Sequence, residues 1–279
     1  MNILLPTDFS QNSWNAILYA IEFYKSVKCN FYILNVCIMD NFMAGDSSTA
    51  TTPEQIDDLY IKPSKQRLTN LLKKINTIDN PNDNHLFYTI TEYGFFLESI
   101  RKHVVEQKID ILVMGTRGAS GLKKYIVGSN TGDVITKVKC TTLVVPECAK
   151  YNEIKEVAFP SDFNLAYDLK TLEPLTNILK VSKANLSIVH IQRKETGLNT
   201  EQLTNLDIFK TYFEEYKPSF QNLECKKVED AIQSFVEHKA IDMIAMVAKN
   251  LNYFQSILFH SRVEKISYHT DIPFLVLHE

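Results

Sequence analysis

Ile111-Leu112-Val113-Met114-Gly115-Thr116-Arg117-Gly118, followed nine residues later by Gly128-Ser129-Asn130-Thr131, is the stretch on which the reading of this chain turns. Four apolar residues stopped by glycine read as a short buried strand. Beyond Ser129, residues Val134, Ile135 and Val138 recur at helical spacing. The chain has eight glycines, and five of them lie between Gly115 and Gly132. A strand that opens through glycines into a helix is suited to anions. Glycine lets the backbone approach a ligand closely, free N–H groups form a nest, and the helix N-terminus favours negative charge. Met114, Gly115, Thr116, Arg117, Gly118, Gly121, Gly128, Ser129, Asn130 and Thr131 are therefore candidate phosphate-site residues. Ser129 and Thr131 are expected to add hydroxyl donors. Arg117 either flanks the ligand or points outward, and Lys123 and Lys124 read as a solvated face. Gly132, inside the expected helix, costs up to ~1 kcal/mol there.

The spacing is neither G-x-G-x-x-G nor G-x-x-x-x-G-K-[ST], which excludes the two commonest nucleotide loops. Working outward, Asn2–Leu5, Phe31–Val36, Leu86–Thr91 and Leu143–Val145 read as further strands. Between them, Ala16, Ile17, Ala20, Ile21 and Tyr24 mark one helix, with Ser10 as its N-cap. Leu68, Leu71, Leu72 and Ile75 mark a second, and Leu97, Ile100 and Val104 a third. Apolar strands alternating with amphipathic helices imply a parallel sheet covered on both faces. Such sheets take ligands beyond the carboxyl ends of the strands, where the strand order reverses. The polar stretch 39–53 is expected to be a loop after the second strand.

The chain repeats itself. Leu5-Pro6-Thr7-Asp8-Phe9-Ser10 returns as Phe159-Pro160-Ser161-Asp162-Phe163-Asn164. Asp110–Met114 returns as Asp242–Met246, and Thr142–Pro146 as Phe274–His278, without a gap between the last two matches. The expected organisation is two Rossmann-like α/β domains, residues 1–149 and 150–279. Each is expected to hold a five-stranded, mostly parallel sheet with helices on both faces.

The G-x2-G-x9-G-[ST] spacing, together with Pro6-Thr7-Asp8-Phe9-Ser10 and Leu34-Asn35-Val36, resembles the universal stress protein family, in a tandem form. That family usually has histidine where this chain has Asn35. The resemblance implies ATP, with AMP or ADP as variants, and magnesium as the counter-ion of the phosphates. It implies that Asp8 meets the adenine or its sugar, with Pro6 and Thr7 beside it in the cofactor site, that Val36 offers backbone groups to the adenine edge, and that the glycine loop holds phosphates and ribose. On its residues alone Asp8 also reads as a turn or helix-cap residue. Single-domain members pair through their terminal strand. The expectation here is an intramolecular, antiparallel pairing of Leu143–Val145 with Phe274–Leu277, Val144 and Val276 lying near the axis.

The second copy has lost the loop. In the ungapped register Gly115 becomes Val247, Gly118 becomes Asn250, Gly128 becomes His260, and Ser129 becomes Ser261. Side chains now stand where backbone would have to touch phosphate. His260 reads as filling that space, and Asp162 as a surviving turn residue. One nucleotide per chain is expected.

Composition narrows the classes further. A net charge of −3 argues against a general nucleic-acid binder. The five cysteines form no C-x-x-C pair, and the histidines no H-E-x-x-H, so neither zinc nor a disulfide framework is expected. The opening apolar run is too short for a signal peptide, and no stretch matches a membrane span. A cytoplasmic, ATP-retaining regulatory protein is the leading expectation, with no catalytic residues assigned and protein partners open. A nucleotide-free interaction scaffold, and a slow ATPase or adenylate-transferring enzyme, are the alternatives.

Overall fold

The computed structural model describes residues 1–38, 52–78, 82–116, 129–163, 168–192, 197–224, 235–236, 238–248 and 272–279. The expected loop 39–53 falls mostly outside them, as do Arg117, Gly118, Gly121, Lys123, Lys124, Gly128, Asn250, His260 and Ser261.

In the first half, strands β1 (Asn2–Pro6), β2 (Cys29–Ile38), β3 (His85–Gly94), β4 (Ile111–Gly115) and β5 (Thr142–Val145) alternate with helices. These are α1 (Gln11–Phe23), α2 (Pro53–Ile56), α3 (Lys62–Asn76), α4 (Phe96–Glu106) and α5 (Ser129–Lys137). The second half supplies β6 (Glu156–Pro160), α6 (Leu169–Ser182), β7 (Asn185–Gln192), α7 (Thr200–Tyr212), β8 (Ser219–Glu224), β9 (Met243–Val247) and β10 (Phe274–Leu277).

All ten strands form one sheet in the order β3-β2-β1-β4-β5-β10-β9-β6-β7-β8. Each half is parallel within itself, and the halves meet where β5 and β10 run antiparallel. The seam centres on Leu143 opposite Leu275, with Val144 opposite Phe274 and Thr142 opposite Val276. Val144 and Val276 thus each stand one residue from the central pair.

Side-chain alternation sorts the strands into two core layers. On one face Ile3, Leu5, Val113, Leu143, Phe159 and Leu275 join a cluster that runs through both halves under α1 and α6. On the other face the cores are separate. Leu4, Leu34, Leu112 and Met114 pack in one, and Ala158, Val189, Ile244 and Met246 in the other.

The repeat is visible in the backbone. Phe9 and Phe163 both take left-handed φ, +61° and +55°, and Lys108 and Ala240 are both at +48°. Asp110 accepts the Asn2 N–H at 2.7 Å, and Asp242 accepts the Glu156 N–H at 3.0 Å. These carboxylates start the fourth strand of each half against the first. The connection 146–155 is also pinned. Asn15 donates to the carbonyls of Pro146 and Ala149 at 3.2 and 2.8 Å, and Tyr151 packs edge-on against Tyr19.

Two differences from the sequence reading have physical causes. β3 is an edge strand, so Leu86 and Tyr88 are exposed rather than covered on both faces. Residues 53–76 form a longer helical run than the Leu68–Ile75 stripe suggests. It opens with a capping box at Thr52 and Gln55 and passes through a π-helical turn at Asp57–Ile61.

Candidate functional site

The strand order reverses beside β1 and β4, so the loops after Pro6 and Gly115 open at the place where sheets of this kind bind ligands. The first loop is held by side chains on both sides. Thr7 donates its N–H to the Leu34 carbonyl at 2.8 Å, and its own carbonyl accepts from Asn35 Nδ2 at 2.7 Å. Ser64 on α3 donates to Asn35 Oδ1 at 2.7 Å, fixing the amide's orientation. The Thr7 hydroxyl pairs with Ser13 at 3.0 Å and accepts the Phe9 N–H at 3.0 Å. That bond supports the left-handed backbone at Phe9, which a bulky side chain adopts only when its surroundings impose it. Arg67 lies 4.0 Å over the Phe9 ring.

Asp8 is exposed at the tip of this loop and accepts the Ser10 N–H at 3.0 Å. Its turn role is therefore real, alongside whatever it offers a ligand. Ser10 caps α1 by accepting from the Ser13 N–H, as its position in the sequence suggests.

The second loop begins at a glycine packed against α1. A Cβ on Gly115 would lie 2.7 Å from Asn12 Oδ1 and 2.8 Å from Asn12 Cγ, inside van der Waals contact. Asn12, on the first turn of α1, is a site-lining residue that the sequence reading missed. Its only sequence signal is the opening position in that helix. Thr131 has its buried hydroxyl donating to the Gly115 carbonyl at 2.8 Å, which ties the start of α5 to the end of β4.

Among the described candidates, Pro6, Thr7, Val36, Met114 and Thr116 are buried. Val36 and Met114 belong to the core under α4 and α5, so backbone groups are what they can present. Asp8, Ser129 and Asn130 carry exposed side chains. The first turn of α5 holds no acidic residue, and the N-terminus of a helix favours negative charge. Cys37, near Asn35, has its thiol pushed up chiefly by burial and donates to the Tyr60 carbonyl at 3.4 Å. It stays a neutral thiol at neutral pH.

The equivalent place in the second half keeps the scaffold and changes its tip. Ser161 donates to the Val189 carbonyl at 2.9 Å, and its own carbonyl meets His190 Nδ1 at 3.0 Å. His190 stands where Asn35 stands in the first half. Comparing Leu34-Asn35-Val36 with Val189-His190-Ile191 would have found it. Phe163 stacks on His190 with ring centroids 5.0 Å apart. From α7, Gln202 and Asn205 donate to the carbonyls of Asp162 and Phe163 at 2.9 and 2.7 Å. Val247, in the place of Gly115, is buried. Among the described residues no cluster of histidine, cysteine or carboxylate side chains could hold a metal ion, and no helix is long and apolar enough to cross a membrane.

Residues 1–146 match the family model described as the universal stress protein family. Two universal stress proteins of Methanocaldococcus jannaschii are similar in sequence. One is 28% identical over 148 residues, covering 53% of this chain and 83% of the relative. The other is 27% identical over 156 residues, covering 51% and 93%. A universal stress protein structure from Archaeoglobus fulgidus aligns over 99% of this chain and 97% of its own, with a TM-score of 0.70 and 18% identity. That likeness speaks for the fold across both halves.

Proposed function

The chain belongs to the universal stress protein family, and from that premise we propose that it is a stress-response regulator that retains one adenine nucleotide, ATP in the first instance, in its first half. The nucleotide lies across the β1 and β4 loops. Asp8 and the backbone around Pro6, Thr7 and Val36 meet the adenosine. Gly115, Thr116, Arg117, Gly118, Gly121 and Gly128 and the start of α5 surround the phosphates, with magnesium as their counter-ion. ADP and AMP fit the same groups. Retention rather than turnover is the chemistry proposed.

The observation that carries this reading is the pairing of Gly115 with the α5 N-terminus. A Cβ at the strand end would press on the Asn12 side chain, and the helix that follows carries no acidic residue in its first turn, which suits an anion there. The second half, proposed as residues 150–279, binds no nucleotide. Val247 fills the glycine position, and α7 ties down the loop after β6. The seam of β5 and β10 makes the chain its own partner, so a monomer in the cytoplasm is proposed.

Calorimetry with ATP on the purified chain, preceded by mass spectrometry for co-purifying nucleotide, tests this. The expected result is one site, lost in Gly118→Val and Gly128→Val. Unchanged affinity in both variants would overturn the assignment of the loop.

A further inference from the structure

Helix α5 does not belong to the first half alone. Val134 and Val138 point into the core formed with Leu4, Leu112 and Met114. Ile135, fully buried, packs instead in the core that crosses the seam, where Val144 of β5 joins Ala158, Ile244, Met246, Phe274 and Val276 of the second half. His278, one residue past β10, lies close to the Ile135 backbone. Thr131 meanwhile fastens the start of the same helix to the Gly115 carbonyl. One rigid element therefore touches the candidate phosphate site at its first turn and the core across the seam at its next. The arrangement is one-sided in sequence. In the ungapped register Val134 becomes Ile266, whereas Ile135 becomes Ser267.

We infer that the second half acts as a positioning domain for the nucleotide site of the first, with Ile135 as the residue through which nucleotide occupancy and second-half packing are coupled. The inference rests on the nucleotide reading above. A helix N-terminus stabilises phosphate only if its N–H groups are held where the phosphate arrives, and a helix seated in two cores is held against rotation and sliding. Coupling of this kind is reciprocal. If second-half packing strengthens nucleotide binding, bound nucleotide must tighten the second half by the same factor.

The test uses the full chain. ATP affinity is measured for the wild type, Ile135→Val, Ile135→Ala and Leu172→Ala. Leu172 lies buried in the second half under the opposite face of the sheet. Ile135→Ala should weaken ATP about tenfold, inside the 5- to 150-fold range usual for coupled sites. Ile135→Val should stay within about twofold of wild type, and Leu172→Ala should lower thermal stability without changing affinity. Hydrogen exchange supplies a readout that general stability does not. ATP should slow exchange in Met243–Val247 and Phe274–Leu277 of the wild type and of Ile135→Val. The protection should disappear in Ile135→Ala. Wild-type affinity in a folded Ile135→Ala, an equal loss in Leu172→Ala, or no protection of those two strands in the ATP-bound wild type would overturn the inference. Failure of the wild type to bind ATP at all would overturn the nucleotide reading itself. If Ile135→Ala does not fold, Ile135→Val and the wild-type exchange pattern decide the matter.

Discussion

At Phe9 and again at Phe163 the chain turns through a left-handed residue, braced by a hydroxyl two positions earlier and by a side chain from the second strand of that half. The backbone is nearly the same; what surrounds it is not. In the first half Phe9 is only partly buried under Arg67, and Gly115 stands across the opening. In the second, Phe163 is buried against His190, α7 grips two loop carbonyls, and Val247 stands in the glycine's place. The contrast separates two requirements that a single domain would confuse. The Asp110 and Asp242 brackets, the strand order and the left-handed turn serve the fold, because they occur in both halves. Gly115, which the second half replaces with Val247, belongs to what the proposed nucleotide site adds to that scaffold.

The largest effect expected is on stoichiometry and affinity. Gly118→Val and Gly128→Val should each weaken ATP by at least ~100-fold, equivalent to about 2.8 kcal/mol, while circular dichroism stays unchanged. Val247→Gly should create no second site, since the remaining loop glycines are still absent. A titration that saturates at two nucleotides per chain would erase the contrast between the halves.

Next come the side chains that brace the two turns. Asn35→Ala and His190→Ala each leave a buried carbonyl without its donor, and each should cost about 1–3 kcal/mol in urea unfolding. They should differ in one respect. Asn35→Ala also weakens ATP, because it releases the loop that carries Asp8, whereas His190→Ala leaves ATP affinity alone. Equal effects on affinity would show that the second loop is coupled to the site by a route other than Ile135.

The seam has its own pH dependence. His278 has its pKa lowered to about 4, first by burial and then by Lys139, against the raising effect of the Ile135 backbone. The native chain keeps this imidazole neutral, while the unfolded chain protonates it below about 6.5. Its contribution is therefore complete above that value and is lost as pH falls from 6.5 toward 4. His278→Leu should flatten the stability profile in that window. The contribution of Glu92, whose carboxyl burial pushes up but the hydrogen bonds from Lys102 and His103 bring down below the ordinary value, should survive in that variant. The smallest change expected is in Gln202→Ala. It removes one half of the α7 capping box and the bond to the Asp162 carbonyl, and should cost about 1 kcal/mol in thermal unfolding with no effect on ATP.

Much of the fold was legible because it is local. Strand type follows from runs such as Ile111–Met114, and the repeat follows from matching those runs in order. The exposure of Leu86 and Tyr88 was not legible, since edge position is decided by strands far away in sequence. The π-helical turn at Asp57–Ile61 leaves no periodic signal of its own. At the site, the glycine spacing was readable, and so was Ser10 as a cap. The engagement of the Thr131 hydroxyl by Gly115, and the close approach of the Asn12 side chain to Gly115, were not. Both depend on which turn of α1 and α5 faces β4, a matter of packing geometry. The destination of Ile135 was the least legible of all, because adjacent apolar residues on one helix look alike until two cores compete for them.

Around its central Leu143–Leu275 pair the seam is unequal: Val144 faces Phe274, while Val276 faces Thr142. In a two-fold assembly of identical chains the same surface meets itself, and any substitution arrives on both sides at once. Within one polypeptide each position exists a single time per molecule. A bulky side chain can then be admitted on one side of the axis and balanced by a smaller one on the other. A loop can likewise be closed in one lobe without being closed in its twin. Inequality of the two lobes is thus something the covalent link allows, and it is the condition for one lobe to serve the other.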